Sequence, residues 1–280
     1  MASLDFITLM FQSQLRKVAT ALQYDRNATQ HNVSASQPDD DAYFVRVLAR
    51  TRNAESFLYN RVPHCASTVV NKVLNFTSKR LGNAFAFHTS GINQEPRPTR
   101  EKLEQYVEAI DGFREPWVFS KNLHFVNFTD YGRKNPVYVN FIRKPIDRFL
   151  SAYDSQRLES AHATESMNAS RRQMSLSECV YSNASECTVE GAFQHGAVPY
   201  FCGQSELCMK PTREALDLAK QNVETYYSVV GVTDDLLGGL ALLEQTAPTM
   251  IHRVTASALL WTIKQMNTAR QKYENHRKSW

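Results

Sequence analysis

The run FLYNRVPHCASTVVNKVL, Phe57 to Leu74, decides the fold. An apolar segment ends at Arg61. Pro63, His64, Cys65 and Ala66 make a tight connection, and Ser67 and Thr68 open an amphipathic helix. A strand that feeds directly into a helix turns the helix's first backbone N–H groups toward the loop, where a phosphate or sulfate is stabilised. The ATP-loop pattern GxxxxGK[ST] does not describe it, because residues 61–68 hold neither glycine nor lysine. The alternative is a plain strand-to-helix turn capped by Ser67.

Outward from this run, strand and helix patterns alternate. SFLYN reads as a buried strand, STVVNKVLNFTSKRL as a helix and NAFAFHT as a second strand. PTREKLEQYVEAIDGF is amphipathic, with Leu103, Tyr106, Val107 and Ile110 on one face and Thr99 as N-cap. PWVFSKNLHFVNF contains a strand, and PVYVNFIR is a strand bounded by Pro136 and Pro145. IDRFLSAYDSQRLES, TREALDLAKQNVETY and DDLLGGLALLEQTAP read as helices, with YSVVGV a late strand. The alternation predicts an α/β fold: a single domain, residues 53–280, with a central mostly parallel sheet flanked by helices. Residues 1–52 form a divergent N-terminal segment, a truncated stem or linker, with the turn-rich SASQPDDD inside it.

At 280 residues, 42% hydrophobic and 21% charged, the chain buries a substantial core. The net charge of +4 is compatible with a polyanionic partner but does not require one, and no nucleic-acid partner is expected. Of five cysteines, Cys179, Cys187, Cys202 and Cys208 cluster, while Cys65 lies in the loop. The four allow three pairings. Zinc is the competing idea, but CxxC knuckles are missing, so disulfides are favoured over metal or free thiols. Six N-x-S/T sequons, at Asn27, Asn32, Asn75, Asn127, Asn168 and Asn183, join the cysteines in pointing to a secretory lumen. Asn27, Asn32, Asn75, Asn168 and Asn183 are the glycosylation candidates. The opening MASLDFITLMFQSQLRK is too short to span a membrane and lacks a basic start, so a targeting segment is expected outside this chain.

A second chemical element is IRKPIDRFLSAY. Arg143 ends a strand, and Ser151 lies eight residues on, in the following helix. Such an arginine and hydroxyl can hold one phosphate together. The competing reading pairs Arg143, Asp147 and Arg148 as helix-end charges.

Together, RVPHCAST and FIRKPIDRFLSAY resemble the two nucleotide-binding signatures of sulfotransferases that use 3′-phosphoadenosine 5′-phosphosulfate (PAPS). More narrowly, YNRVP, HFVNFTDYG, PVYVNFIRKPIDRFLS, the paired cysteines, PYFCGQ and YSVVGVTDDL resemble the uronyl and heparan sulfate 2-O-sulfotransferases, a family that includes the Pipe-type proteins. The likeness runs from about Phe57 to about Pro248. The resemblance implies a P-loop-like architecture and sulfuryl transfer from PAPS to the 2-hydroxyl of a uronic acid in a glycosaminoglycan, without metal. Arg61, His64, Cys65, Ala66, Ser67 and Thr68 would hold the 5′-phosphosulfate, and Arg143 and Ser151 the 3′-phosphate. Asn122 and Arg157 would face the substrate. The implied bridges are Cys179–Cys187 and Cys202–Cys208. A Golgi-lumen, single-pass type II membrane protein forming a homotrimer is implied as well.

Two positions depart from the family pattern. The cradle lysine is His64, only partly charged near neutral pH. The catalytic histidine is Asn122, which cannot act as a general base. His124, two residues on, would share a strand face with Asn122 but stand about 6–7 Å along it. The catalytic candidates are therefore His124 and His64. A Cys65–His64 dyad would need two loop neighbours to converge, which immediate neighbours seldom do. A binding or scaffold paralogue that keeps the fold and transfers nothing is the alternative function.

Overall fold

The computed structural model describes residues 54–89, 95–158, 173–248 and 250–262. The proposed N-terminal segment and the sequons at Asn27, Asn32 and Asn168 lie outside the described residues. In chain order the elements are β1 (Ser56–Asn60), α1 (Ser67–Arg80), β2 (Ala86–Thr89), α2 (Arg100–Asp111), β3 (Trp117–Lys121), β4 (Val137–Ile142) and α3 (Pro145–Leu158). Then come α4 (Leu176–Tyr181), α5 (Val189–Gln194), α6 (Ala197–Cys202), α7 (Arg213–Tyr226), β5 (Tyr227–Val232) and α8 (Leu236–Thr246), with a last helix over residues 254–262.

The five strands form one sheet in the order β2-β3-β1-β4-β5, and every pairing is parallel. Parallel strands connected by helices are covered on both faces, so their sequences run apolar without interruption. In β1, Leu58 points to one face and Phe57 and Tyr59 to the other. The first face packs on Leu103, Val107 and Ile110 of α2, Phe201 of α6 and Leu216 of α7. The second packs on Val70, Val73 and Leu74 of α1, Leu240 and Leu243 of α8, and Val254.

Helix starts follow local chemistry. The Thr99 hydroxyl caps α2 by accepting from the Lys102 N–H, Thr212 caps α7, and Asp235 caps α8 through the Gly238 N–H at 2.9 Å. The start of α1 differs. Its N-cap is Ala66 at φ 57°, with no side-chain cap, so the Ser67-capped turn is not what forms. Where α8 crosses β5, a Cβ on Gly231 would sit 2.6 Å from the Phe141 ring and 3.3 Å from the Gly239 Cα. Only glycine permits that approach.

Both cysteine pairs are closed as disulfides, Cys179–Cys187 and Cys202–Cys208, and Cys65 is free and buried. This is the pairing the resemblance implies.

β3 stops at Lys121, so Asn122 and His124 do not continue a strand. The reason lies in the backbone partners of this stretch. The Leu123 carbonyl accepts from the Asn60 amide at 3.3 Å, His124 N–H donates to the Pro96 carbonyl at 2.8 Å, and Phe125 N–H donates to the Tyr200 carbonyl at 2.8 Å. These groups are taken by a side chain, a loop and helix α6 instead of a neighbouring strand.

Candidate active site

β1 lies between β3 and β4, so the chain's strand order reverses around it. Ligands of open parallel sheets bind at the carboxyl ends of the strands at such a point. The loop 61–68 sits there. His64 has φ 63° and Ala66 φ 57°, both left-handed, with Cys65 between them. A non-glycine residue held this way costs on the order of 1–2 kcal/mol. Backbone turns of this kind expose successive N–H groups to an anion. The cost is borne where α1 begins, and Ala66 still closes the helix by accepting from Val69 and Val70 N–H at 2.9 and 3.1 Å.

Cys65 fastens this loop to the second element. Its thiol is wholly buried and accepts a hydrogen bond from the Arg143 backbone N–H. Burial pushes the thiol up to about 11 despite the opposing charge of Arg148, so Cys65 is an inert packing residue at neutral pH. Arg143 is half-buried directly after β4, and Ser151 is half-buried in α3. The fold therefore brings the Arg143 backbone against the cradle loop. His64 is half-buried, Ser67 half-buried and Thr68 exposed, the last two in the first turn of α1.

The charge balance is lopsided. Three formally charged side chains are buried, Arg61 at 6% exposure, Lys121 at 1% and Arg148 at 4%, and no Asp or Glu is buried among the described residues. Burial lowers the pKa of both arginines, yet a guanidinium stays charged. Tyr200 lies within the electrostatic reach of Arg61 and Arg148, with its own phenol pushed up by burial. Arg148 also depresses His195, after burial. Arg148 makes no carboxylate pair among the described residues; the nearby surface pair is Lys144 with Asp234 at 2.7 Å. Burying a cation is unfavourable, and an arriving anion offsets that cost.

A polar row crosses the sheet end below the loop. Asn140 of β4 donates to the Asn60 side chain at 3.0 Å, and Asn60 donates to the carbonyls of Leu123 and Tyr200 at 3.3 and 3.2 Å. Lys121 of β3 pairs with Asn60 in register, and its carbonyl accepts from Arg61 N–H at 2.8 Å. Its ammonium lies 4.1 Å from the centroid of the Tyr106 ring. Burial first, then Arg61, lowers Lys121 to about 8.

His124 is 1% exposed, its Nδ1 is 3.3 Å from the Gly203 carbonyl, and its ring packs on Tyr200 at 4.7 Å. Burial holds it down at about 4, so the imidazole is neutral at physiological pH. Asn122 is half-buried beside it. Arg157 is occupied locally: it donates to the Met174 and Tyr153 carbonyls at 3.2 Å, reaches Glu186 at 3.4 Å and stacks on Tyr153. It ties α3 to the disulfide-bonded segment. Among the sequons, Asn75 is half-buried within α1, Asn127 is engaged with Thr129, Asp130 and Asn135, and Asn183 is exposed in the loop closed by Cys179–Cys187.

A cleft of about 530 Å³ opens next to this stretch, lined by Arg97, Thr99, Arg100, Asp130, Tyr131 and Gln204. Gln204 donates to the His124 carbonyl at 2.9 Å, and Arg97 donates to the Gln204 carbonyl at 2.9 Å. The cleft thus adjoins the 122–124 passage.

Comparison with known proteins agrees with this geometry. A model described as the Sulfotransferase family (Sulfotransfer_2) matches residues 49–275. The chain belongs to that family. A uronyl 2-sulfotransferase from Homo sapiens is 36% identical over 198 residues, 68% of this chain and 48% of that protein. A heparan sulfate 2-O-sulfotransferase 1 from Xenopus laevis is 31% identical over 207 residues, 71% of this chain and 56% of that protein. The chain spans about half the length of the curated relatives it matches. The sulfotransferase match extends past the likeness legible by eye, into residues 249–275.

Several residues of this candidate site escape a linear reading. Lys121, Arg148, Asn60, Asn140 and Tyr200 assemble only through the sheet, α3 and α6. The one local signal was a lysine closing the otherwise apolar WVFSK strand.

Proposed function

We propose that this chain transfers a sulfuryl group from PAPS to the 2-hydroxyl of a uronic acid residue in a glycosaminoglycan. The observation that carries the reading is the trio of buried cations, Arg61, Lys121 and Arg148, gathered without a buried carboxylate around a left-handed loop at the sheet's switch point. That is a receptor for a multiply charged anion. The donor would supply the sulfuryl group. Loop 61–68 would hold its 5′-phosphosulfate, with His64 in the lysine position, and Arg143 and Ser151 its 3′-phosphate. Fixed donors in a water-poor site favour transfer by stabilising charge on the moving oxygens. The cleft beside Asn122, with Arg97 and Arg100, would receive the polyanionic acceptor in a salt-sensitive way. No metal enters the scheme. The two disulfides support an oxidising compartment, and a Golgi-lumen glycoprotein anchored by a segment outside this chain, assembling as a homotrimer, completes the proposal.

One observation favours a second reading, a binding or scaffold paralogue. Asn122 offers no basic nitrogen, and His124 is buried with Nδ1 close to the Gly203 carbonyl. Labelled-PAPS transfer onto desulfated heparan, dermatan and chondroitin separates the two. Turnover on any acceptor supports the enzyme. No turnover on all three, by disulfide-intact protein that binds 3′-phosphoadenosine 5′-phosphate in calorimetry, supports the scaffold. Arg143→Ala is the binding control, and no nucleotide binding by the parent protein overturns the enzyme reading.

A further inference from the structure

Lys121 is the least explained charge in the molecule. It sits at the carboxyl end of β3, 1% exposed, one residue before the 122–124 passage. Among the described residues no hydrogen bond or ion pair engages its ammonium; the contact it makes is with the Tyr106 ring, 4.1 Å away. The charged group facing it is another cation, Arg61, from the end of β1. The two backbones are joined by the Arg61 N–H to Lys121 carbonyl bond of 2.8 Å. Trp117 and Phe119 precede it at alternate positions on the sheet face that carries α2, and Lys121 continues that row beside Asn60. Two buried like charges within electrostatic reach of each other repel, and the cation–π contact offsets part of that.

We infer that Lys121 and Arg61 form a paired-cation subsite for one sulfate-type or phosphate-type oxyanion, Lys121 supplying from β3 the ammonium that loop 61–68 lacks. This rests on the donor-site reading above. The oxyanion has two sources, the phosphosulfate end of the donor or an acidic group of the acceptor chain. In either case an anion between the two side chains restores the protonated amine. Lys121 is depressed to about 8 with Arg61 beside it, so at pH 8 the free protein carries about half a proton there. Binding then draws in about half a proton. The facing groups are Arg61 from β1, whose guanidinium keeps its proton, and the Tyr106 ring from α2.

The test is calorimetry of the disulfide-intact protein at pH 8 in buffers of differing ionisation enthalpy, with 3′-phosphoadenosine 5′-phosphate in one arm and a glycosaminoglycan hexasaccharide in the other. Proton uptake of about half an equivalent is expected in the arm whose anion reaches Lys121. Lys121→Met should abolish the uptake and weaken that ligand tenfold or more. Lys121→Arg should keep most of the affinity and take up no proton, which separates a binding role from a packing role and remains readable if Lys121→Met misfolds. Arg143→Ala should weaken the nucleotide and leave the uptake intact. Nucleotide binding without uptake in either arm, with Lys121→Met binding as tightly as the parent, overturns the subsite while leaving the donor reading standing. Absence of nucleotide binding overturns the donor reading, and the subsite then survives only on uptake in the hexasaccharide arm.

Discussion

The two sides of the sheet's carboxyl edge are built differently. At the end of β1, loop 61–68 is held in a costly backbone shape and fastened by the Cys65 thiol to Arg143, with buried cations around it. At the end of β3, residues 122–125 adopt no regular structure and owe their path to partners from Asn60, Pro96 and Tyr200. The first region is organised for an anion, the second for placing a neighbour against it. Departures from the family pattern fall unevenly on them. His64 can still donate to an anion, whereas Asn122 cannot accept a proton. Under the proposed function, donor binding would be the sturdier half of the site, and proton transfer the half that differs from the family pattern.

The contrast is best broken first at Arg61. Arg61→Ala should weaken 3′-phosphoadenosine 5′-phosphate about thirtyfold or more in calorimetry, since truncating one member of a buried charge contact costs roughly 2–5 kcal/mol. An unchanged affinity would remove the cradle from the site. The second break is acid. His124 is held at about 4, below the ordinary 6.5 of an unfolded chain, so above pH 6.5 the imidazole is neutral in both states and the full contribution is present. As pH falls from 6.5 toward 4 the unfolded chain takes the proton first, and stability drops by up to about 3 kcal/mol. Denaturant melts across that window should show the drop, and His124→Asn should flatten it. Third, Asn60→Ala unlinks the two regions by removing the side-chain donor from the Leu123 carbonyl and one of two donors from the Tyr200 carbonyl. A loss of about 2 kcal/mol is expected in urea unfolding, with acceptor affinity falling more than nucleotide affinity. The smallest effect belongs to Ala66→Gly. Relief of the left-handed residue should stabilise the fold by less than about 1 kcal/mol and leave nucleotide binding within a few-fold.

Much of the fold could be read along the chain because its signals are local. PVYVNFIR is apolar and β-branched between two prolines, and it forms β4. The Thr99 cap is set by residues three apart. The cradle was legible as a strand running into a helix. HFVNF misled for a physical reason. Its residues suit a strand, but its backbone groups are captured by Asn60, Pro96 and Tyr200 before a ladder can form. Lys121 and Arg148 were hidden differently. A charged residue announces exposure in a sequence, and only the assembled fold encloses these two. The resemblance implies that Arg157 faces the substrate, and the Met174 carbonyl it donates to comes from a residue that only the fold brings near.

The meeting of Gly231 with Gly239 leaves no cushion of side chains between β5 and α8. A side-chain layer yields by changing rotamers; backbone on backbone does not. Phe141 is gripped by both glycines and stands two residues ahead of Arg143. Widening the contact between α8 and β5 is therefore expected to displace Phe141, two residues from the arginine proposed to hold the donor's 3′-phosphate.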